Sequence, residues 1–209
     1  MGSGVPDGDS TSHRGRPRSE KARAAILDAA WETLATDGLR VMTMDTVAER
    51  AGVSKATIYR WWGSKAELAL ETFLARVEEQ VPVPDTGSLA GDLRARIRAT
   101  VRAYGRPPLR PILTGLVAEA QFDPAFRAAL RERAIGPLRN ASREAFRRAE
   151  ARGEIPAGAP ADLAFDMLVG AVYYRLLLES GPVDTRLADD LVDLLLAGLE
   201  SHGSGSHRR

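Results

Sequence analysis

The sequence contains no cysteine, which excludes disulfides, thiolate catalysis and cysteine-based zinc or iron–sulfur sites. Histidine is nearly as scarce. His13, His202 and His207 lie near the two ends of the 209 residues, leaving no imidazole in the body of the chain for a Ser-His-Asp triad or a histidine metal site. Carboxylates, hydroxyls and arginines remain for chemistry, without a clustered acid pair or a glycine-rich phosphate loop. An enzyme is therefore disfavoured, and neither a cofactor nor a metal is expected. Long apolar runs are also missing. The most apolar stretch, "LAFDMLVGAVYYRLLL" from Leu163 to Leu178, is short for a bilayer and carries Asp166 and Arg175, so no membrane partner is expected. The opening "MGSGVPDGDSTSH" lacks the apolar core of a signal peptide and reads as a disordered tail over residues 1–13, so a cytoplasmic location is expected. Convincing period-2 alternation occurs nowhere, and the fold class reads as all-α.

What is present suits a small head fused to a larger body, and 44% hydrophobic residues are enough for a real core. In Ser19 to Asp37, Ile26, Leu27, Ala30, Trp31, Leu34 and Ala35 make the stripe of an amphipathic helix, which Gly38 ends. A second helix fits Met44 to Ala51, with Thr43 as its N-cap and Asp45 in the positive first turn. After Gly52, Ser54 caps a short third helix to about Trp61. The "SKAE" of Ser64 to Glu67 then opens a fourth, to about Gln80, with a capping box. The stretch "VPVPDTGSLAG", Val81 to Gly91, with two prolines, two glycines and almost no charge, marks the boundary between a head at 14–80 and a body at 81–201. In the body, helical patterns fall at about Leu89 to Tyr104, Leu109 to Gln121, Pro124 to Arg152, Ala161 to Glu179 and Thr185 to Ser201. Pro137 should kink or split the third of these, and residues 202–209 read as a flexible tail.

Within the head, Val47, Ala51, Val53, Ile58 and Trp61 occupy the inward positions of two helices crossing steeply at Gly52, and Ala48 is small where they approach. That pattern is a helix-turn-helix, though a generic helical hairpin would satisfy its apolar positions. The exposed face discriminates. Lys55, Ala56, Thr57, Tyr59 and Arg60, followed by Trp62 and Lys65, stand free of any acid between Arg50 and Glu67. Ala56 permits close approach to a groove wall, Thr57 can bond a base or phosphate, and Tyr59 and Trp62 offer rings with polar handles. The cations Lys55, Arg60 and Lys65 suit phosphates. Trp61 is expected in the core and Trp62 outside it. Upstream, "RGRPR" sets Arg14, Arg16 and Arg18 on an extended arm that can lie in an AT-rich minor groove; an ordinary charged leader is the alternative. The whole chain has a formal net charge of +1, yet His13 to Lys65 holds ten Lys plus Arg against six Asp plus Glu. The head is thus the basic part. A helical module whose basic face meets an acidic protein is the competing reading.

The stretch "RGRPRSEKARAAILDAAWETLATDGLRVMTMDTVAERAGVSKATIYRWWGSKAELALETFL" resembles the head of TetR-family transcriptional regulators almost without gaps. The resemblance implies a three-helix helix-turn-helix head joined by a long fourth helix to a helical-bundle body. It implies double-stranded operator DNA as partner, with phosphate contacts from Thr43, Tyr59 and Lys65 and base or phosphate contacts from Lys55, Thr57 and Arg60. Trp62 departs from the histidine frequent there. "DMLVGAVYYRLLLESGPVDTRLADDLVDLLLAGL", Asp166 to Leu199, is similar to the last two helices of one C-terminal subgroup and implies a homodimer through a four-helix bundle. The near-uniform apolarity of the penultimate helix points the same way. The expected interface is Leu168, Val172 and Leu176 with Leu187, Leu191, Leu194, Leu195 and Leu199; burial within a monomer is the alternative. The resemblance further implies a small-molecule effector of unknown identity. Expected pocket residues are Val101, Tyr104, Leu113, Val117, Phe122 and Phe126, then Phe146, Met167, Tyr173 and Tyr174, with Arg175 as polar anchor. A ligand-responsive repressor on a palindromic operator is the leading expectation, and an activator with the same head is the alternative.

Overall fold

The computed structural model describes residues 16–81 and 84–205. Among them every regular element is helical. The head comprises α1 (Arg16–Thr36), the single turn α2 (Gly38–Val41), α3 (Met44–Ala51) and α4 (Lys55–Tyr59), and α5 (Lys65–Gln80) leads out of it. The body comprises α6 (Leu89–Tyr104), α7 (Leu109–Phe122), α8 (Pro124–Leu130), α9 (Gly136–Ala151), α10 (Ala161–Leu178) and α11 (Thr185–Gly205).

Local chemistry accounts for the boundaries in the head. Thr43 accepts the Thr46 N–H at 3.1 Å, and the Thr46 hydroxyl accepts the Thr43 N–H at 3.1 Å, so two threonines form a reciprocal cap that satisfies amides left unpaired at the start of α3. Gly52 closes α3 with φ 64°, a conformation that costs glycine nothing. At α5 the expected capping box is half formed. Ser64 caps the Glu67 amide, while the Glu67 carboxylate accepts the Gly63 N–H at 2.9 Å instead of that of Ser64. Gly38 does stop α1, but with φ 76° it also starts α2, which sequence periodicity did not resolve because one turn is shorter than any helical period.

The start of α1 corrects one expectation. An extended arm was anticipated through Arg18, whereas the helix already runs from Arg16, with Pro17 in its first turn where a missing N–H is harmless. Arg14 lies outside the described residues, as does the tail over residues 1–13. At the other end α11 continues to Gly205, into the stretch read as a flexible tail.

The long body segment is divided as proline demands. Between α8 and α9 a π-helical turn spans Arg131–Ile135, and the Gly136 N–H donates to the Arg131 carbonyl five residues back. Pro137, second in α9, has no N–H to give the carbonyl one turn earlier, and its ring crowds that turn; the widened register relieves both.

Head and body share one continuous core. Ile26, Leu34, Val47 and Ile58 are buried in the head, and Leu68, Leu70 and Phe73 of α5 carry the cluster on toward Ile112 and Leu116 of α7. α5 packs against α1 on one side and α6, α7 and α8 on the other, and α2 touches α7. The composition break after Gln80 therefore marks a turn in the chain and not a break in the packing. On the far side α11 lies along α6, flanked by a two-pronged Arg98–Asp189 ion pair at 2.7 and 2.8 Å and by Arg94–Asp193.

Candidate nucleic-acid interface and internal cavity

α3 and α4 meet through Val47, Ala48 and Ile58, all buried, so the opposite side of α4 faces outward. Lys55, Ala56, Tyr59 and Arg60 are exposed there and Thr57 is half-buried. Tyr59 is 49% exposed, a large fraction for an aromatic side chain, with its phenol available to a groove or a phosphate. The Lys55 ammonium lies 2.9 Å from Asp45 of α3, and that hydrogen bond raises its pKa above the ordinary lysine value, so it stays charged at neutral pH. The Thr57 hydroxyl shares a hydrogen bond of 2.8 Å with Ser54. Lys65 is half-buried and donates to the Leu39 carbonyl at 3.2 Å, close to the start of α5. Thr43 is exposed, with its hydroxyl committed to the α3 cap.

Trp62 overturns its expected place on this surface. α4 ends at Tyr59, and the Trp62 N–H returns to the Ile58 carbonyl at 3.1 Å, which turns the indole inward. Trp62 is 2% exposed, and its Nε1–H donates to Glu71 of α5 at 3.1 Å. Trp61 is instead only partly buried, with the Arg60 guanidinium 5.2 Å from its ring centre. Trp62 thus stands one helical turn after Ile58 and shares its inward side, the place expected of Trp61.

Glu71 gathers groups from across the molecule. Besides Trp62, it receives Arg23 of α1 and, at 3.0 Å, Arg133 of the π-helical turn. One carboxylate on the connecting helix thus ties the helix-turn-helix to an irregular turn of the body.

Inside the body a cavity of about 80 Å³ opens between α5, α6, α9 and α10, several times the space one water needs. Its wall is mostly apolar, with Leu93, Ile97, Ala145, Phe165 and Leu168 among its residues. A polar stripe runs through it along α6: Asp92, Arg96, Thr100 and Tyr104, spaced one turn apart, with Tyr173 of α10 added. Asp92 is 2% exposed and accepts the Thr86 N–H at 2.6 Å, the Thr86 hydroxyl at 2.9 Å and Arg148 of α9 at 3.0 Å. Burial alone would raise its pKa; these hydrogen bonds outweigh it and hold the carboxyl below the usual range. Burial lowers the Arg96 pKa and pushes that of Tyr173 up to about 12. The ring of Tyr104 stacks on Phe73 of α5, with centroids 6.0 Å apart.

Residues 26–72 match the family model "Bacterial regulatory proteins, tetR family", and residues 83–195 match "Tetracyclin repressor-like, C-terminal domain". The chain belongs to the TetR family of transcriptional regulators. It is 33% identical over 190 residues to the HTH-type transcriptional regulator YdeS of Bacillus subtilis, covering 91% of this chain and 96% of that one. The DNA-binding transcriptional repressor TetR of Mycobacteroides abscessus is 34% identical over 186 residues, 86% of this chain and 96% of its own. The crystal structure of the TetR family transcription regulator SCO0332 superposes with a TM-score of 0.76 at 39% identity, covering 85% of this chain and 98% of that one. The chain is thus a DNA-binding transcriptional regulator, and these relatives are regulators, not enzymes.

As a TetR-family body, the chain departs from several residue assignments made from sequence. Of the expected pocket residues, Tyr104 and Tyr173 line the cavity. Val101, Leu113, Phe126 and Phe146 are buried in helix packing away from it, and Val117 is partly buried against the same core. Phe122 (89% exposed), Met167 (54%) and Tyr174 (59%) face outward. Arg175 donates to the Pro182 carbonyl at 3.0 Å, so it closes a loop and Arg96 supplies the cavity's cation. The four-residue spacing of Asp92, Arg96, Thr100 and Tyr104 was a legible signal, obscured by the stronger apolar stripe beside it.

The expected dimer residues also move. Leu168, Val172, Leu176, Leu187, Leu195 and Leu199 are buried in the chain's own core, because α10 and α11 turn that stripe toward α6 and its neighbours. Leu191 is half-buried and Leu194 is 73% exposed. The apolar face left open on α10 is Leu163, Met167, Tyr174 and Leu178, and α11 exposes Leu194. α10 is apolar nearly all round because one side fills the core and the other reaches the surface.

No helix among the described residues is long and apolar enough to cross a membrane.

Proposed function

We propose that the chain is a ligand-responsive repressor that binds a palindromic operator as a homodimer. The observation that carries this reading is the acid-free face of α4, where Lys55, Ala56, Thr57, Tyr59 and Arg60 project from a packed helix-turn-helix beside Lys65. Lys55, Thr57 and Arg60 contact bases or phosphates, and Tyr59, Lys65 and Thr43 contact phosphates. The exposed apolar residues of α10, with Leu194 exposed on α11, support self-association, since large apolar side chains sharing one helix face suit a protein partner. A twofold pairing there presents two heads to half-sites about one or two helical turns apart.

The response to ligand rests on the cavity. Its wall includes Val77 of α5, and Tyr104 stacks on Phe73 of the same helix, so an occupant bears on the element that carries the head. α9, another wall, begins at the π-helical turn whose Arg133 grips Glu71. A ligand that favours one arrangement of α5 and α9 changes the separation of the two heads and weakens operator binding.

In vitro selection from random duplex DNA, followed by anisotropy against salt, tests the first part. An enriched inverted repeat with a steep salt slope is expected; no enriched repeat, or binding as a monomer to a single half-site, overturns it. Placing the selected repeat in a reporter promoter tests the sign of control, and increased transcription in the presence of the chain would overturn repression.

A further inference from the structure

Along the chain the outward face of α4 is free of acids, but in space it is not. Asp45, in the first turn of α3, brings its carboxylate to 2.9 Å from the Lys55 ammonium. Both side chains stand open to water, where an ion pair adds little to the stability of a fold. The pair also lies among the residues read as meeting DNA, since Thr43 caps the same turn of α3 and Tyr59 shares α4 with Lys55. A carboxylate there works against phosphate binding: it repels the backbone and cancels the charge that Lys55 brings. The neighbouring cations differ. Arg60 lies over the Trp61 ring and Lys65 donates to the Leu39 carbonyl, and neither pairs with a carboxylate among the described residues. Of these three cations, Lys55 alone is held by an acid from the adjoining helix.

Resting on the reading of α4 as the recognition helix, we propose that Asp45 sets operator specificity by positioning Lys55 for a guanine edge and away from phosphates. An ammonium has three N–H donors. With one given to Asp45, two remain for the O6 and N7 acceptors of a guanine, which carry no formal charge and leave the carboxylate undisturbed. A phosphate in the same place would stand beside that carboxylate and be repelled by it. The pair as a whole is neutral. It therefore adds almost nothing to sequence-independent attraction, while it rewards the registers that offer Lys55 a guanine. Asp45 thus decides between the base and phosphate roles open to Lys55.

The test compares the unaltered full chain with Asp45→Asn, which keeps the side chain's shape and removes its charge, by anisotropy against salt on the selected inverted repeat and on a scrambled duplex. Asp45→Asn releases Lys55 to phosphates. Binding to the scrambled duplex should tighten more than binding to the repeat, so that their ratio falls about tenfold. The slope of log affinity against log salt on the scrambled duplex should steepen by about 0.9 per head. A purely structural role for Asp45 would weaken both duplexes alike and leave ratio and slope unchanged, and that result overturns the proposal. A second measurement does not depend on the folding of Asp45→Asn. Scanned across the guanines of a half-site, 7-deazaguanine, which lacks the N7 acceptor, should weaken binding by the unaltered chain at one position or more, and Lys55→Gln should remove the loss at one of them. A Lys55→Gln chain that keeps the full pattern of losses overturns the proposal, as does a repeat without a G·C pair. A selected repeat with an unchanged ratio sinks the role of Asp45 alone; no selected repeat sinks the recognition-helix reading with it.

Discussion

Replacing Asp92 with alanine removes one partner of a buried ion pair and leaves Arg148 facing a site built for a carboxylate. Asp92 holds Thr86 of the connector and Arg148 of α9 at once, and the Arg148 Nε is already buried without a hydrogen-bond partner. Stripping one member from a buried pair costs about 3–5 kcal/mol. With 23% of its side chain exposed, Arg148 regains some hydration, which places this case near about 3 kcal/mol. At about 2–4 °C per kcal/mol for a chain of this size, the melting temperature should fall by roughly 6–12 °C. Circular dichroism melts at matched protein concentration measure it, because the proposed dimerisation would make the midpoint concentration-dependent. Asp92→Asn keeps an acceptor for Thr86 and should lose less. Arg148→Met added to Asp92→Ala should recover part of the loss, since it removes a cation left with only its longer contacts to Asp85 and Glu144, at 3.8 and 3.9 Å. The pH dependence follows from the depressed carboxyl. Its contribution is fully present above the ordinary aspartate value of about 3.9 and is lost as pH falls through the lower folded value. Parent and variant should thus differ by a constant amount from neutral pH down to about 5 and converge in stronger acid. A change under about 2 °C at neutral pH, by the same conversion less than about 1 kcal/mol, would refute the account of Asp92 as a structural pin.

Tyr59→Ala should weaken operator binding about tenfold with an unchanged melting temperature, because the ring projects from the head; equal affinity by anisotropy would remove Tyr59 from the interface. Leu194→Glu should yield monomers in sedimentation with the fold intact, whereas Leu195→Glu, 6% exposed, should unfold the chain. A stable Leu194→Glu dimer would place the interface elsewhere. Thr43→Ala breaks the reciprocal cap of α3 and should lower stability by about 1 kcal/mol in urea denaturation, a value that Thr43→Ser should largely restore. Glu71→Gln loosens Arg133, so amide exchange over residues 131–135 should quicken; unchanged protection would mean that the π-helical turn is held by other contacts.

Much of this molecule follows from the order of its residues alone. Thr43, Gly52, Ser54 and Ser64 write the helix-turn-helix boundaries because caps and positive-φ turns depend on neighbours a few residues away. Pro137 announces the break in the long body segment for the same local reason. The acid-free α4 face was legible because its period and the turn beside it assign outward positions without knowledge of anything distant. What resisted reading were questions of which partner an apolar or aromatic side chain meets. Trp62 goes inward because Glu71, on another helix, accepts its indole N–H, which lets the ring be buried on the Ile58 side. Leu195 and Leu194 are adjacent in sequence, yet α6 covers the first and leaves the second open. Arg96 lines the cavity because α9 and α10 wall off that side of α6, while Arg175 is spent on a loop carbonyl. Periodicity gives each helix its faces, but the tertiary arrangement alone decides what stands opposite them, since burial and charge pairing depend on residues far away along the chain.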